Sequence, residues 1–104
     1  MTDEEKLKML LVALHHSSFR NKEQIDNSNQ CGCFHCGKIF PATEVVKWCD
    51  IDDKGAPTAV CHHCGTDSVL GDGCGFTINH TLLKLMNDYF FGGRGFDEEP
   101  KKVN

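Results

Sequence analysis

Two short segments of this chain repeat one pattern, Cys33-Phe34-His35-Cys36-Gly37 and Cys61-His62-His63-Cys64-Gly65. A gap of two residues lets both sulfurs of a segment reach one ion at about 2.3 Å. A glycine after the second cysteine allows the backbone to turn so that its amides face sulfur. Two such knuckles supply four thiolates, the closed tetrahedral shell of a structural zinc ion. The 24 residues between Cys36 and Cys61 leave room for a helical turn and a hairpin, so both knuckles can close on the same ion. The sequence therefore predicts one structural Zn²⁺ held by Cys33, Cys36, Cys61 and Cys64. An iron site of rubredoxin type uses the same four-sulfur geometry and stands as the alternative metal. Catalytic zinc fits poorly, because it takes three protein ligands and keeps one position for water.

A metal staple also answers a problem of size. A chain of 104 residues makes one small domain, which buries only roughly 60–65% of the surface its unfolded form exposes. Zinc binding to such modules is worth about 10–16 kcal/mol, comparable to the whole net stability of a domain. Disulfides are the other staple that seven cysteines allow, but an odd count cannot pair completely. The opening Met1-Thr2-Asp3-Glu4-Glu5-Lys6 is acidic where an export signal is basic and then apolar. The longest apolar run, Met9 to Leu14, is far short of the roughly 20 residues that cross a bilayer. These features predict a cytoplasmic protein with no membrane segment, in a reducing compartment where thiols bind metal.

Charge narrows the partners. The formal net charge is −4, and four thiolates on a dication bring it to about −6. Between Cys31 and Phe91 there are four lysines, no arginine and seven acidic residues. Nucleic acid, which is held by clustered cations, is therefore disfavoured.

Hydrophobic spacing and turn residues outline the rest. Thr2 and Glu5 form a capping box ahead of Leu7, Leu10, Leu11 and Leu14, predicting a helix from about Asp3 to His16. Its apolar stripe reads as a face packed on the zinc module. Residues 17–30 read as a polar linker with one helical turn, Asn21 and Gln24 being spaced for a second capping box. Cys31 to Phe34 and Lys38 to Phe40 read as strands flanking the first knuckle, followed by a turn capped by Thr43. Trp48 to Ile51 and Pro57 to Val60 read as a hairpin whose reversal uses Gly55. A helical turn is expected at Asp67 to Leu70. A closing helix capped by Thr77 or Asn79 should run to about Phe91, with Leu82, Leu83, Met86, Tyr89 and Phe90 on one face, ending at Gly92-Gly93. The expected organisation is an N-terminal helix and linker over 1–30, a zinc-ribbon module with closing helix over 31–91, and a flexible tail over 92–104. The fold class is a small α+β zinc-binding domain, a zinc ribbon or treble-clef-like hairpin between flanking helices.

The other chemistry-bearing residues read more plainly. Cys31 is expected to be a buried thiol, replacement of a ligand being the alternative. Cys49 should lie in a strand, and Cys74, in a glycine-rich loop, is the cysteine expected to be most exposed. His35, His62 and His63 occupy the inner knuckle positions and should face outward. His15 and His16 sit at the negative end of the first helix. Asp50, Asp52 and Asp53 suggest a solvated turn, since a calcium loop would need further ligands. His63 and His80 are the nearest approach to a treble-clef nuclease set, with no motif to complete it.

The string as a whole, from Cys31-Gly32-Cys33-Phe34-His35-Cys36 through Ile39-Phe40-Pro41, Glu44-Val45 and Trp48-Cys49-Asp50 to Thr58-Ala59-Val60-Cys61-His62-His63-Cys64-Gly65-Thr66-Asp67-Ser68-Val69-Leu70-Gly71, resembles a family of small bacterial and phage cytoplasmic zinc-ribbon proteins. The likeness runs from about His16 to Phe91. It implies that the paired knuckles ligate zinc and that a closing helix follows, but it names no reaction. Here His62-His63 stand where the family carries proline and an aromatic residue. Asp67-Ser68 is distinctive, a polar pair that metal binding does not require, suited to capping a turn or marking a contact surface.

Taken together these readings predict a noncatalytic, zinc-stabilised module that binds an unidentified protein partner, such as a regulator or inhibitor of a cytoplasmic protein. A nucleic-acid-binding zinc ribbon and a divergent treble-clef, HNH-like nuclease are the alternatives. The oligomeric state is not specified by the sequence.

Overall fold

The computed structural model describes residues 1–96. Helix α1 (Asp3–Ser17) begins on its capping box. Thr2 Oγ1 accepts from the Glu5 amide at 3.1 Å, and the Glu5 carboxylate accepts from the Thr2 amide at 2.9 Å. Leu11 and Leu14 are buried, whereas Leu7 at the same stripe remains 39% exposed. The next segment contains the expected helical turn as helix α2 (Lys22–Asp26), which buries Ile25, and Ser18 and Asn21 are buried ahead of it. Asn21 makes no side-chain cap. Its amide nitrogen instead donates to Val69 O at 2.8 Å and its amide oxygen accepts from the Ala59 amide at 2.9 Å. Gln24, the expected second half of that cap, bonds Ser17 O and the Gly71 amide.

Five short strands are described: β1 (Gln30–Cys33), β2 (Ile39–Pro41), β3 (Lys47–Cys49), β4 (Thr58–Val60) and β5 (Val69–Gly71). They make two antiparallel sheets, one ordered β2-β1-β5 and one a β3-β4 hairpin. In the first, Cys31 faces Phe40 on one side and Gly71 on the other, and Gly32 faces Ile39 and Leu70. Strand β5 replaces the helical turn expected at Asp67 to Leu70. Val69 and Leu70 are both fully buried, and an extended backbone sends them to opposite faces where a helical turn would not.

That alternation divides the core. On one face Cys31, Cys33, Phe40 and Val69 pack with Cys36, Cys61, Ala59 and Ile25. On the other Phe34 and Leu70 pack with Leu11 and Leu14 of α1, Ile78, and Leu83 and Met86 of α3 (His80–Phe91). Asn79 caps α3 by accepting from the Leu82 amide, and Gly92 ends it in the left-handed region at φ 63°. Gly32 lets α3 approach closely, since a Cβ there would stand 2.7 Å from Ile78 Cγ2 and 2.8 Å from Leu83 Cδ1.

The β3-β4 reversal is built differently from expectation. Gly55 is not in the positive-φ region, and the left-handed residue is Asp50 at φ 57°. Thr58 Oγ1 donates to its carboxylate at 2.6 Å. Arg20 spans the reversal, with two 3.0 Å bonds to the Asp52 carboxylate and bonds to the carbonyls of Asp50 and Ala56. Asp50 and Asp52 are therefore part of a network, while Asp53 stays at the exposed turn. Of the expected flexible tail, residues 92–96 form a turn that lays Phe96 over Gly37 and against His80. The remaining tail, 97–104, lies outside the described residues.

Candidate metal centre

Cys33 stands at the end of β1 and Cys61 directly after β4, so the two sheets deliver one knuckle each. The knuckles are built alike. Gly37 donates to Cys33 O and Gly65 to Cys61 O, both at 2.8 Å, while Cys33 donates to Lys38 O and Cys61 to Thr66 O, both at 2.9 Å. Gly37 and Gly65 take φ of 83° and 80°, a conformation that side-chain-bearing residues resist.

These turns aim four sulfurs at one point. Cys33 Sγ lies 3.6 Å from Cys64 Sγ and Cys36 Sγ 3.7 Å from Cys61 Sγ, and all four lie within 4.8 Å of one another. Sulfurs about 2.3 Å from a tetrahedral ion stand about 3.8 Å apart, so the set is dimensioned for one metal ion. The same separations are well beyond the roughly 2.05 Å of a disulfide, and all seven cysteines are free. Backbone amides supply the usual outer support of a thiolate centre. His35 and Cys36 donate to Cys33 Sγ, and His63 to Cys61 Sγ, each at 3.4 Å.

One further partner of sulfur comes from outside the knuckles. Ser68 Oγ is buried 3.0 Å from Cys33 Sγ, so Ser68 of the polar pair Asp67-Ser68 bears on the sulfur cluster, while Asp67 is exposed. The sequence carried no signal for this, because Ser68 reaches Cys33 only once β5 has paired with β1.

The electrostatics fit an ion-binding cage. Without a metal, hydrogen bonding between Cys33 and Cys61 pulls the Cys61 thiol down and pushes Cys33 up, with burial adding to the rise at Cys33. Burial, and then the neighbouring sulfurs, push Cys36 up to about 11. One negative charge makes the next unwelcome, and a dication at the centre reverses that relation.

The other cysteines stay out of the cage. Cys31 is fully buried and held as a thiol, burial pushing it up to about 12. Cys49 is half-buried, its Sγ 3.9 Å from Asp50 Oδ2. Cys74, expected to be exposed, is half-buried against the α3 side of the core, and the exposed cysteine is Cys64 of the four-sulfur cluster.

Five of the six histidines separate into three settings, and His16 is exposed on α1. His35 packs edge-on to Phe91 at 4.6 Å, and His15 lies 4.3 Å from Phe90. His80 lies 5.0 Å from Phe96. His62 and His63 gather with Glu44 into a second set of metal-capable side chains. Among the described residues these three and the four cysteines are the groupings of that kind, and His80 belongs to neither.

No described helix is long and apolar enough to cross a membrane. The chain matches no model of a known protein family, no curated protein and no solved structure.

Proposed function

We propose that this chain is a cytoplasmic zinc-ribbon module, of the kind its knuckle string resembles, that acts by binding another protein. Cys33, Cys36, Cys61 and Cys64 hold the zinc, whose part is to tie the β1-β2 and β3-β4 units together. With four sulfurs closing its shell, no position remains for a reacting group.

The observation that carries the binding role is a cleft of about 280 Å³ between α1 and α3. Leu7, Leu11, Leu85 and Tyr89 line it, with Glu4, Lys8 and Asp88 at its rim. Leu7, Leu85 and Tyr89 are 39%, 38% and 46% exposed, a cluster of apolar surface on facing helices rather than scattered single residues. Trp48, Phe90 and Phe91, by contrast, pack against the core. An apolar floor between two helices suits an amphipathic helix of a partner. The chain's net charge of −4 favours basic residues beside that helix's apolar stripe.

Two measurements test the reading. Elemental analysis of untagged protein should find zinc near one equivalent per chain, and neither zinc nor iron would overturn the metal centre. Native lysate passed over micromolar wild-type protein and over Leu85→Glu should yield a partner retained by the first and lost by the second. A partner indifferent to Leu85→Glu, or none on the wild type, would overturn the cleft as a binding surface.

A further inference from the structure

Outside the sulfur cage a second set of ligand-capable atoms meets on the outer side of the second knuckle. His62 and His63 occupy the two inner positions of the Cys61-to-Cys64 turn, and Glu44 reaches them from the 3-10 turn after β2. One ligand atom from each of the three side chains lies within 4.8 Å of the others. Glu44 Oε1 is 3.2 Å from His62 Nε2. The imidazole rings of His62 and His63 stand 4.0 Å apart, tilted by 40°. Phe40 backs both, at 5.0 Å from His62 and 5.6 Å from His63. His62 Nδ1 is buried with no hydrogen-bond partner among the described residues, so that ring meets Glu44 and the solvent through Nε2.

An ion pair would account for Glu44 and His62 but not for a second imidazole stacked beside them. We propose that Glu44, His62 and His63 form an open site for a divalent transition-metal ion of the Zn²⁺, Co²⁺ or Ni²⁺ class. Two imidazoles and a carboxylate are donors that favour such ions over Mg²⁺ and Ca²⁺. Ligands at about 2.1 Å from a shared ion stand about 3.0–3.4 Å apart. Glu44 and His62 already meet that spacing, and the exposed His63 places a ligand atom within 4.8 Å of both. Three protein ligands leave at least one coordination position for water or for a donor from another molecule.

The two sites differ in kind but share one turn of chain. Sulfur closes the first, while the second is open, its Glu44 side chain 48% and its His62 side chain 24% exposed. Fixing Cys61 and Cys64 on their ion fixes the backbone from which both imidazoles project, so the sulfur cage fills first and shapes the second site.

The test uses the full chain. Protein carrying one equivalent of zinc is titrated with Co²⁺, followed by absorption and by the ring proton signals of histidine. One further equivalent is expected, with weak d–d bands, no sulfur-to-cobalt charge transfer, and paramagnetic broadening at His62 and His63. Glu44→Gln and His63→Gln should each weaken it at least about tenfold, whereas His16→Gln, at an exposed position on α1, should leave it unchanged. Cobalt added alone to metal-free wild type and variants reads the sulfur cage separately, through intense charge transfer on the first equivalent. Its absence from the wild type would overturn the sulfur cage. With the cage intact in every protein, the open site is overturned by the lack of a second equivalent, by one indifferent to Glu44→Gln and His63→Gln, or by one lost in His16→Gln.

Discussion

At the scale of single residues, Ser68 shows how a side chain 35 positions from Cys33 in the chain can tune its sulfur. Its hydroxyl lies 3.0 Å from Cys33 Sγ, and such outer partners are worth about 10–100-fold in metal affinity. Ser68→Ala should therefore weaken zinc binding by about that factor in competition with a chromophoric chelator, with stoichiometry unchanged. Asp52 offers a test by titration. The Arg20 guanidinium, and after it the Lys54 amide, hold its carboxyl below the usual carboxylate range. A depressed carboxylate adds stability that is present above its unfolded value, near pH 3.9, and lost as pH falls through the lower native one. A carboxyl-detected NMR titration should find the Asp52 midpoint below 3.9, returning to the ordinary range in Arg20→Met. The four sulfurs were legible because their spacing is local and their chemistry is specific. Ser68, Asn21 and Glu44 were not, since each acts on residues brought close only by strand pairing or by the knuckle turn.

Among elements, the contact between α3 and the sheet is the most sharply defined. Gly32→Ala would drive a methyl into Ile78 and Leu83, and overpacking of this kind costs about 1–3 kcal/mol, measurable as a shift in the denaturant midpoint. Asn21 does for the two sheets what a strand would do. Its amide offers the same donor and acceptor as a peptide unit, and it spends them on the free edges of β5 and β4. Asn21→Ala would orphan two buried backbone groups, at about 2–4 kcal/mol. Both flanking helices could be read from the sequence, since a capping box, a leucine period and a closing glycine are local signals. Strand β5 could not. Its three residues, Val69, Leu70 and Gly71, are too few to show alternation, so the stretch reads as a helical turn ahead of a glycine-rich loop. In residues 17–30 the helical turn was legible, but polar composition concealed that Ser18 and Asn21 are buried and that Asn21 bonds both sheets.

For the molecule as a whole, β1 is the hinge between the halves of the core. Its Cys31 and Cys33 belong to the cysteine-rich face, and Phe34 just beyond it belongs to the face under the helices. Loss of the ion should consequently reach both layers. Excess chelator at neutral pH is expected to abolish near-ultraviolet signal from Trp48 and the sheet contribution to circular dichroism in one transition, with zinc restoring both. Retention of the full fold after verified metal removal would contradict this. The cage itself is not sealed evenly. Cys33, Cys36 and Cys61 are at most 7% exposed, while Cys64 faces water. An alkylating agent, an oxidant or a scavenging thiol thus meets the same corner first, and with a metal bound, dismantling of the native state would begin at Cys64, the one sulfur of the four that solvent can already touch.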